Sequence, residues 1–401
     1  MKISERANLC QLSPMRKFHP LAVQAKQAGK KIYHLNIGQP DIKTPKAYYD
    51  AVRGFNEATL AYEASPGMAL LIETIRKYYQ GIGVELASND ILITTGGSEA
   101  LLIACLSILD PGTEIIVPEP FYPNYSTFVR AAGAEIRALP TRPEEGYRYA
   151  DREKIESLIN EKTRAIMFTN PGNPTGVVLT EEEMRLMADI AKENDLFIIS
   201  DEVYREFCYD NRSGIPTMGR FDHIADNLII IDSVSKRFSA CGARVGCVIT
   251  KNKDLQGALL KFCQSRLSVA TIDQLGAAAL YSVDESFYAE CKREYMARRD
   301  LVVSELKKIP GIQVEEPKGA FYLMASLPVD DSDKFQKWLL ESFDDNGETV
   351  MFAPGAPFYK TPGRGVNEVR IAYVLVVEEL KRAMELLAKG IERYQKEVME
   401  A

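Results

Sequence analysis

The feature that most constrains this chain is an alternation running from about residue 90 to residue 250. Short apolar, β-branched runs recur at residues 91–95, 115–118, 165–169, 196–200, 228–232 and 245–250, separated by helix-like stretches such as 100–109 and 181–194. Runs that are apolar throughout, rather than at every second position, suit strands covered on both faces, and helical connections suit parallel neighbours. The expected fold class is therefore α/β, a mostly parallel sheet between helices. The stretch 181–194 carries its own start signal. Thr180 is placed as an N-cap with Glu183 three residues on, so hydroxyl and carboxylate can each satisfy an orphan N–H.

The pattern changes near residue 285. Residues 287–308 read as one long helix, 311–326 as strands and a turn, and 333–342 and 377–400 as helices again. Residues 1 to about 45 read as an irregular arm. The expected division is a large domain over residues 46–285 and a smaller α+β domain made of 1–45 and 286–401. No internal repeat or low-complexity tract interrupts either part.

Composition excludes several function classes. The formal charge is −7 and no dense Lys/Arg run is present, so nucleic acid is not an expected partner. No stretch approaches the roughly 18 to 20 apolar residues that span a bilayer, so no membrane partner is expected. The opening segment lacks the apolar core of a signal peptide. Seven scattered cysteines without a CxxC pair argue against a disulfide framework or a zinc site. The expectation is a cytoplasmic protein with buried thiols and no metal.

Four segments at strand ends carry the residues suited to chemistry. The first is Asp232-Ser233-Val234-Ser235-Lys236, with Arg244 eight residues on. It follows the run 228–232 directly, at the edge where α/β sheets present ligand sites. An isolated lysine there is usually a solvated loop charge. Two hydroxyls and a guanidinium around it suit a phosphate dianion instead, and an amine beside a phosphate site suits a Schiff base to an aldehyde cofactor.

The second segment is Thr94-Thr95-Gly96-Gly97-Ser98-Glu99-Ala100, a strand end turning into a helix. Free amides at a helix start make an anion cradle, although a plain tight turn reads the same way. The third, Thr169-Asn170-Pro171-Gly172-Asn173-Pro174-Thr175-Gly176, falls on the same sheet edge, and so dense a turn can be punctuation alone. The fourth is Asp201-Glu202-Val203-Tyr204, in which Asp201 is also a candidate helix cap.

Taken together and in order, these segments resemble the class I/II aminotransferases, the fold-type I pyridoxal-phosphate (PLP) enzymes related to aspartate aminotransferase. The resemblance covers nearly the whole chain. It also takes in Asn36-Ile37-Gly38-Gln39-Pro40-Asp41, the stretch from Tyr62 to Gly67, Phe121-Tyr122, and Arg370 within Val369-Arg370-Ile371-Ala372-Tyr373. It implies a seven-stranded sheet and pyridoxal 5′-phosphate as cofactor.

The resemblance also implies residue roles. Lys236 would carry the cofactor and then act as the base that moves a proton from the substrate Cα. Asp201 would pair with the ring nitrogen and keep it protonated. Tyr204 and Asn173 would hydrogen-bond the ring's phenolic oxygen. Ser233, Ser235, Arg244 and the backbone of Gly97, Ser98 and Glu99 would hold the phosphate, and Tyr122 would stack on the ring. Arg370 would clamp the substrate α-carboxylate, helped by Asn173 and a Gly38 amide. Tyr62 would reach the phosphate of a neighbouring subunit, which implies a homodimer with shared sites.

Two positions depart from the family's commonest pattern. Gln39 replaces a glutamate, and Ser98 stands where several bacterial aspartate enzymes place a lysine for the substrate's second carboxylate. Arg266 lies near where the family brings an arginine across the dimer for that carboxylate; a structural salt bridge is the competing reading. The expected reaction is ping-pong amino transfer from an L-amino acid, aspartate first, to a 2-oxo acid such as 2-oxoglutarate. The alternatives are aromatic, alanine or methionine-type substrates, or a PLP-dependent lyase such as a C–S lyase on the same scaffold. A non-catalytic sensor usually carries an added DNA-binding segment, for which 401 residues leave no room.

Overall fold

The computed structural model describes residues 1–209 and 215–400. Its first strand, β1 (Lys31–His34), lies outside the main sheet. The next seven are β2 (Ile91–Thr94), β3 (Glu114–Glu119), β4 (Glu135–Pro140), β5 (Thr163–Thr169), β6 (Phe197–Asp201), β7 (Leu228–Ser233) and β8 (Gly246–Ile249). They form one sheet in the order β2-β8-β7-β6-β5-β3-β4. Only β8 runs antiparallel to its neighbours. The expected seven-stranded, mostly parallel sheet is therefore present.

Alternate residues of the central strands serve two different cores. Ile166, Phe168, Ile198 and Ile230 face a cluster with Leu71, Ile75, Met184 and Met187 from the helices Ala69–Gly81 and Glu181–Glu193. Ala165, Met167, Ile199, Ile229 and Ile231 face a second cluster with Leu101 and Ala104 of the helix Gly96–Ile108 and Leu259 of the helix Lys253–Arg266. Period-2 side chains buried on both faces explain the unbroken apolar runs. Each fully buried Ile contributes about 1.5–3 kcal/mol relative to exposure. The N-cap reading at Thr180 also holds: its hydroxyl accepts from the Glu183 N–H at 3.2 Å, and Glu183 accepts from the Thr180 N–H at 2.8 Å.

A third cluster joins Tyr33, Leu35, Tyr295, Phe321, Val350, Ile371 and Leu387. It packs around a sheet of β9 (Gln313–Val314), β10 (Tyr322–Ser326), β12 (Ala353–Pro354) and β13 (Glu368–Ala372), in the order β12-β13-β10-β9. β11 (Glu348–Met351) pairs in parallel with β1. The helix Glu285–Leu306 spans two clusters, since Phe287 packs on the first and Val302 and Leu306 sit in the third.

Two expectations need correction. The segment 1–45 is not irregular throughout, because it contains the helix His19–Gln27 and β1. Lys-Ile-Tyr-His has no strong strand pattern of its own, and its partner lies far along the chain. β4 was not among the expected strands. It is an edge strand in which only Ile136 and Leu139 are buried, so the mixed sequence Glu-Ile-Arg-Ala-Leu-Pro carries a weak signal.

The topology places a site. The carboxyl ends of β5, β6 and β7 bring Thr169, Asp201 and Ser233 to one edge, as open α/β sheets do for ligands. Thr94 and Ser233 both register with Gly246 at the start of β8. A Cβ at Gly246 would lie 2.6 Å from the Gly96 carbonyl carbon, 2.7 Å from the Gly97 nitrogen and 2.8 Å from the Asp232 oxygen. Glycine there lets the two turns meet. No helix among the described residues is long and apolar enough to cross a membrane. None of the seven cysteines is in a disulfide, and only Cys10 and Cys241 are partly exposed.

Candidate active site

A cleft of about 710 Å³ opens on this edge. Gly38, Gly97, Ser98, Tyr122, Asn173, Asp201, Tyr204, Ser233, Ser235, Lys236, Arg244 and Arg370 line it together. Glu99, Tyr62 and Arg266 do not.

Lys236 sits in the short helix Val234–Arg237 that links antiparallel β7 and β8. Ser233 caps that helix, its hydroxyl oxygen accepting from the Ser235 N–H at 3.1 Å. The Lys236 ammonium donates to the Gly38 carbonyl at 2.8 Å and lies 3.8 Å from the Cys241 sulfur. Gly38 therefore meets the site through its carbonyl in this structure. Behind the turn, Asp232 accepts from Arg205 and Arg237, each at 2.7 Å, and from Tyr79 at 3.1 Å. Burial raises the Asp232 pKa, but the Arg237 and Arg205 guanidiniums outweigh it and hold the carboxyl below its usual range. This buried network clamps both flanks of Lys236.

Asp201 ends β6 and is buried, so it is not a helix cap. Its carboxylate accepts from the Tyr125 hydroxyl at 2.7 Å and from the Val203 N–H at 3.4 Å. Burial lifts its pKa to about 6 against the lowering effect of those bonds. Tyr125 was not singled out by the sequence reading; its one signal is a position three residues after Tyr122, at the start of the helix Asn124–Ala131. The two rings meet edge to face at 5.6 Å.

Tyr204 is buried, and its hydroxyl lies 3.0 Å from that of Tyr322. Burial pushes the Tyr204 pKa up, so it serves as a neutral hydrogen-bonding phenol. Tyr322, also missed in the sequence, donates to the Gly38 carbonyl at 3.3 Å, and the Arg370 guanidinium lies 4.5 Å from its ring centre. Arg370 reaches the cleft from β13. It donates to the Asn173 side-chain oxygen at 3.2 Å and to the Asn36 carbonyl at 2.7 Å, both neutral acceptors. Its Nε is buried without a partner, and desolvation lowers its pKa. A buried guanidinium with no acid beside it is built to take an anion.

Arg244 adopts a left-handed conformation, φ 52°, which turns its side chain over Gly96. A Cβ at Gly96 would lie 2.6 Å from the Arg244 Nη2, and Gly96 itself has φ 71°. Glycine therefore allows the guanidinium to close on the start of the helix Gly96–Ile108, where free N–H groups and the helix dipole favour an anion.

Arg266 resolves towards the salt bridge. Its Nε donates to Glu99 at 3.0 Å and its Nη2 to the Ile93 carbonyl at 2.9 Å, away from this chain's cleft. The same pairing turns the Glu99 side chain off the site. Tyr62 is 82% exposed, outside the cleft of its own chain.

This cleft brings a lysine at the β7 turn, a buried carboxylate at the end of β6 and an acid-free arginine together on one sheet edge. The family model for aminotransferase class I and II matches residues 30–387, and the chain belongs to that family. It is 33% identical to an aspartate aminotransferase of Pyrococcus horikoshii over 97% of both chains. Among solved structures it resembles Thermus thermophilus aspartate aminotransferase with maleate, at TM-score 0.88 and 27% identity over 97% of this chain and 100% of that one. It also resembles a Pyrococcus furiosus alanine aminotransferase, at TM-score 0.89 and 28% identity over 98% and 100%.

Proposed function

We propose that the cleft binds pyridoxal 5′-phosphate on Lys236 and transfers an amino group from a dicarboxylic L-amino acid, aspartate first, to a 2-oxo acid such as 2-oxoglutarate, in ping-pong order. The observation that carries this reading is the convergence of Lys236, Asp201 and Arg370 on one cavity. The donor set fits the cofactor. Ser235, Arg244 and the N–H groups of Gly97 and Ser98 would hold its phosphate. Tyr122 would cover the ring face, and Tyr204 and Asn173 would donate to the phenolic oxygen.

When bound, the cofactor supplies an electron sink that acidifies the substrate Cα–H bond. Asp201, raised to about 6 by burial, ionises fully once a cationic ring nitrogen lies beside it. Arg370 takes the α-carboxylate, offering its unpartnered Nε. That clamp would leave the Cα proton to the Lys236 amine, which would take it up as the base. The names of the relatives support aspartate, whereas the alanine aminotransferase likeness keeps a monocarboxylic substrate as the competing choice. The exposed Tyr62 suits a contact with a second copy's phosphate, and so a homodimer.

The test is a half-reaction. The loaded protein is mixed with single amino acids and the cofactor's visible absorbance is followed. Rapid conversion by aspartate or glutamate, abolished in Lys236→Ala, is expected. Pyruvate release without an oxo acid would overturn the transferase reading in favour of a lyase.

A further inference from the structure

The N-terminal segment brings to the cleft a cation that the scheme above leaves unused. The single turn Pro14–Arg16 and the start of the helix His19–Gln27 lie along the cavity, so that Met15, Arg16 and His19 join its lining. Neighbouring cations of this segment are engaged elsewhere. Arg6 donates to the Ala131 carbonyl at 3.3 Å, Lys17 pairs with Asp333 at 2.9 Å, and Lys30 donates to the Phe343 carbonyl at 2.8 Å. The Arg16 side chain is exposed and has no hydrogen-bond, ion-pair or ring partner among the described residues.

Charge inventory gives this position a meaning. Among the described residues, Arg16, Lys236, Arg244 and Arg370 line the cavity against one carboxylate, Asp201. Lys236 and Arg244 are taken by the cofactor and its phosphate, and Arg370 by the α-carboxylate. The two positions that could otherwise meet a second substrate carboxylate do not supply a charge. Ser98 lines the cleft but is neutral, and Arg266 is committed to Glu99. Among the described residues, Arg16 is the remaining arginine on the cavity wall.

We propose that Arg16 determines specificity by binding the side-chain carboxylate of a dicarboxylic amino acid or 2-oxo acid. Its planar fork matches a carboxylate in two parallel hydrogen bonds. Met15, Leu101 and Met351 add apolar lining to the same cavity. The inference rests on the aminotransferase reading and adds to it the group that selects the side chain.

The test compares wild type with Arg16→Gln and Arg16→Lys, using aspartate and glutamate against alanine and tyrosine as donors. Binding of succinate and of propionate to the loaded protein is measured in parallel by calorimetry. Arg16→Gln should lower kcat/KM for the dicarboxylic donors about 10- to 100-fold, chiefly through KM, as expected for loss of a charged hydrogen-bond pair. It should leave the monocarboxylic donors unchanged and weaken succinate but not propionate, with Arg16→Lys recovering part of the loss. Equal effects on both donor classes, or none, would overturn the role of Arg16. A wild type that converts only monocarboxylic donors would remove this role while leaving the aminotransferase reading in place; a wild type that converts neither class would remove both.

Discussion

The hydroxyl of Tyr125 donates a 2.7 Å hydrogen bond to the carboxylate of Asp201, reaching it from the helix that begins just after Tyr122. Both groups are buried, so the bond acts where charge is poorly solvated and helps keep the carboxylate ionised. Tyr125→Phe removes the donor and keeps the ring. The Asp201 pKa then rises further, and the acidic limb of the pH–rate profile should move to higher pH by up to about one unit. Rates at the alkaline plateau should change much less. A profile superimposable on wild type would show that the bond does not act on the ionisation that governs turnover.

Asp201 also couples cofactor binding to stability. Its folded pKa, about 6, lies above the unfolded value for an aspartate. A raised acid is more stable protonated, so this group favours the folded cofactor-free protein below the unfolded pKa. The contribution is lost as pH rises from about 4 through about 6. The cofactor-free protein should therefore lose up to about 3 kcal/mol from this source between acid and neutral pH. Asp201→Asn should flatten that slope in the difference between variant and wild type, measured by urea titration at several pH values. It should also abolish transamination.

Arg370→Lys should separate substrate binding from cofactor binding. Lysine keeps the charge but loses the fork and the stacking on Tyr322 and Phe358, whose ring centres lie 4.5 and 5.1 Å from the guanidinium. The expected loss is about 2–4 kcal/mol of transition-state stabilisation, or roughly 30- to 1,000-fold in kcat/KM. The cofactor's absorbance and its Kd should be unchanged. A variant that loses the cofactor instead would assign Arg370 to the framework.

Much of the sheet and of the cleft lining was legible in the sequence, for a physical reason. Parallel strands buried on both faces leave unbroken apolar runs, and the residues directly after them fall on one edge. Asp201, Asn173, Ser233 and Lys236 were found that way. What was not legible depends on contacts between distant segments. Tyr322 enters from β10 to meet Tyr204 and Gly38, and nothing local marks it. β1 exists because β11 offers a partner far along the chain. Arg266 has the composition of a carboxylate ligand, and only the fold reveals that Glu99 already occupies it.

The buried network behind Lys236 should show the cost of an uncompensated charge. Arg205, Glu202, Asp232 and Arg237 are nearly inaccessible to solvent, and Asp232 serves both arginines. Removing one partner leaves the other desolvated and unpaired, which costs about 3–5 kcal/mol. Asp232→Asn should destabilise the protein by that order in urea unfolding at neutral pH. Because its folded pKa is depressed, the Asp232 contribution is present above the unfolded value and lost as pH falls through the folded one. The gap between variant and wild type should therefore close below about pH 4. A gap that persists in acid would place the damage in packing rather than charge.

Gly246 offers the sharpest test of how the phosphate cradle is built. A methyl group there would sit 2.6 to 2.8 Å from backbone atoms of Gly96, Gly97 and Asp232, none of which belongs to a flexible side chain. Either the helix Gly96–Ile108 must move away from β8 or the turn carrying Lys236 must. Both displacements pull apart the two halves of the anion site. Gly246→Ala should weaken cofactor binding by 10-fold or more, on the order of a misplaced charged hydrogen bond. The control is Gly242→Ala, in the same link but with open space around its Cβ, which should bind the cofactor as wild type does. If Gly246→Ala kept wild-type affinity for the cofactor, the close approach of the two turns could not be what holds the phosphate.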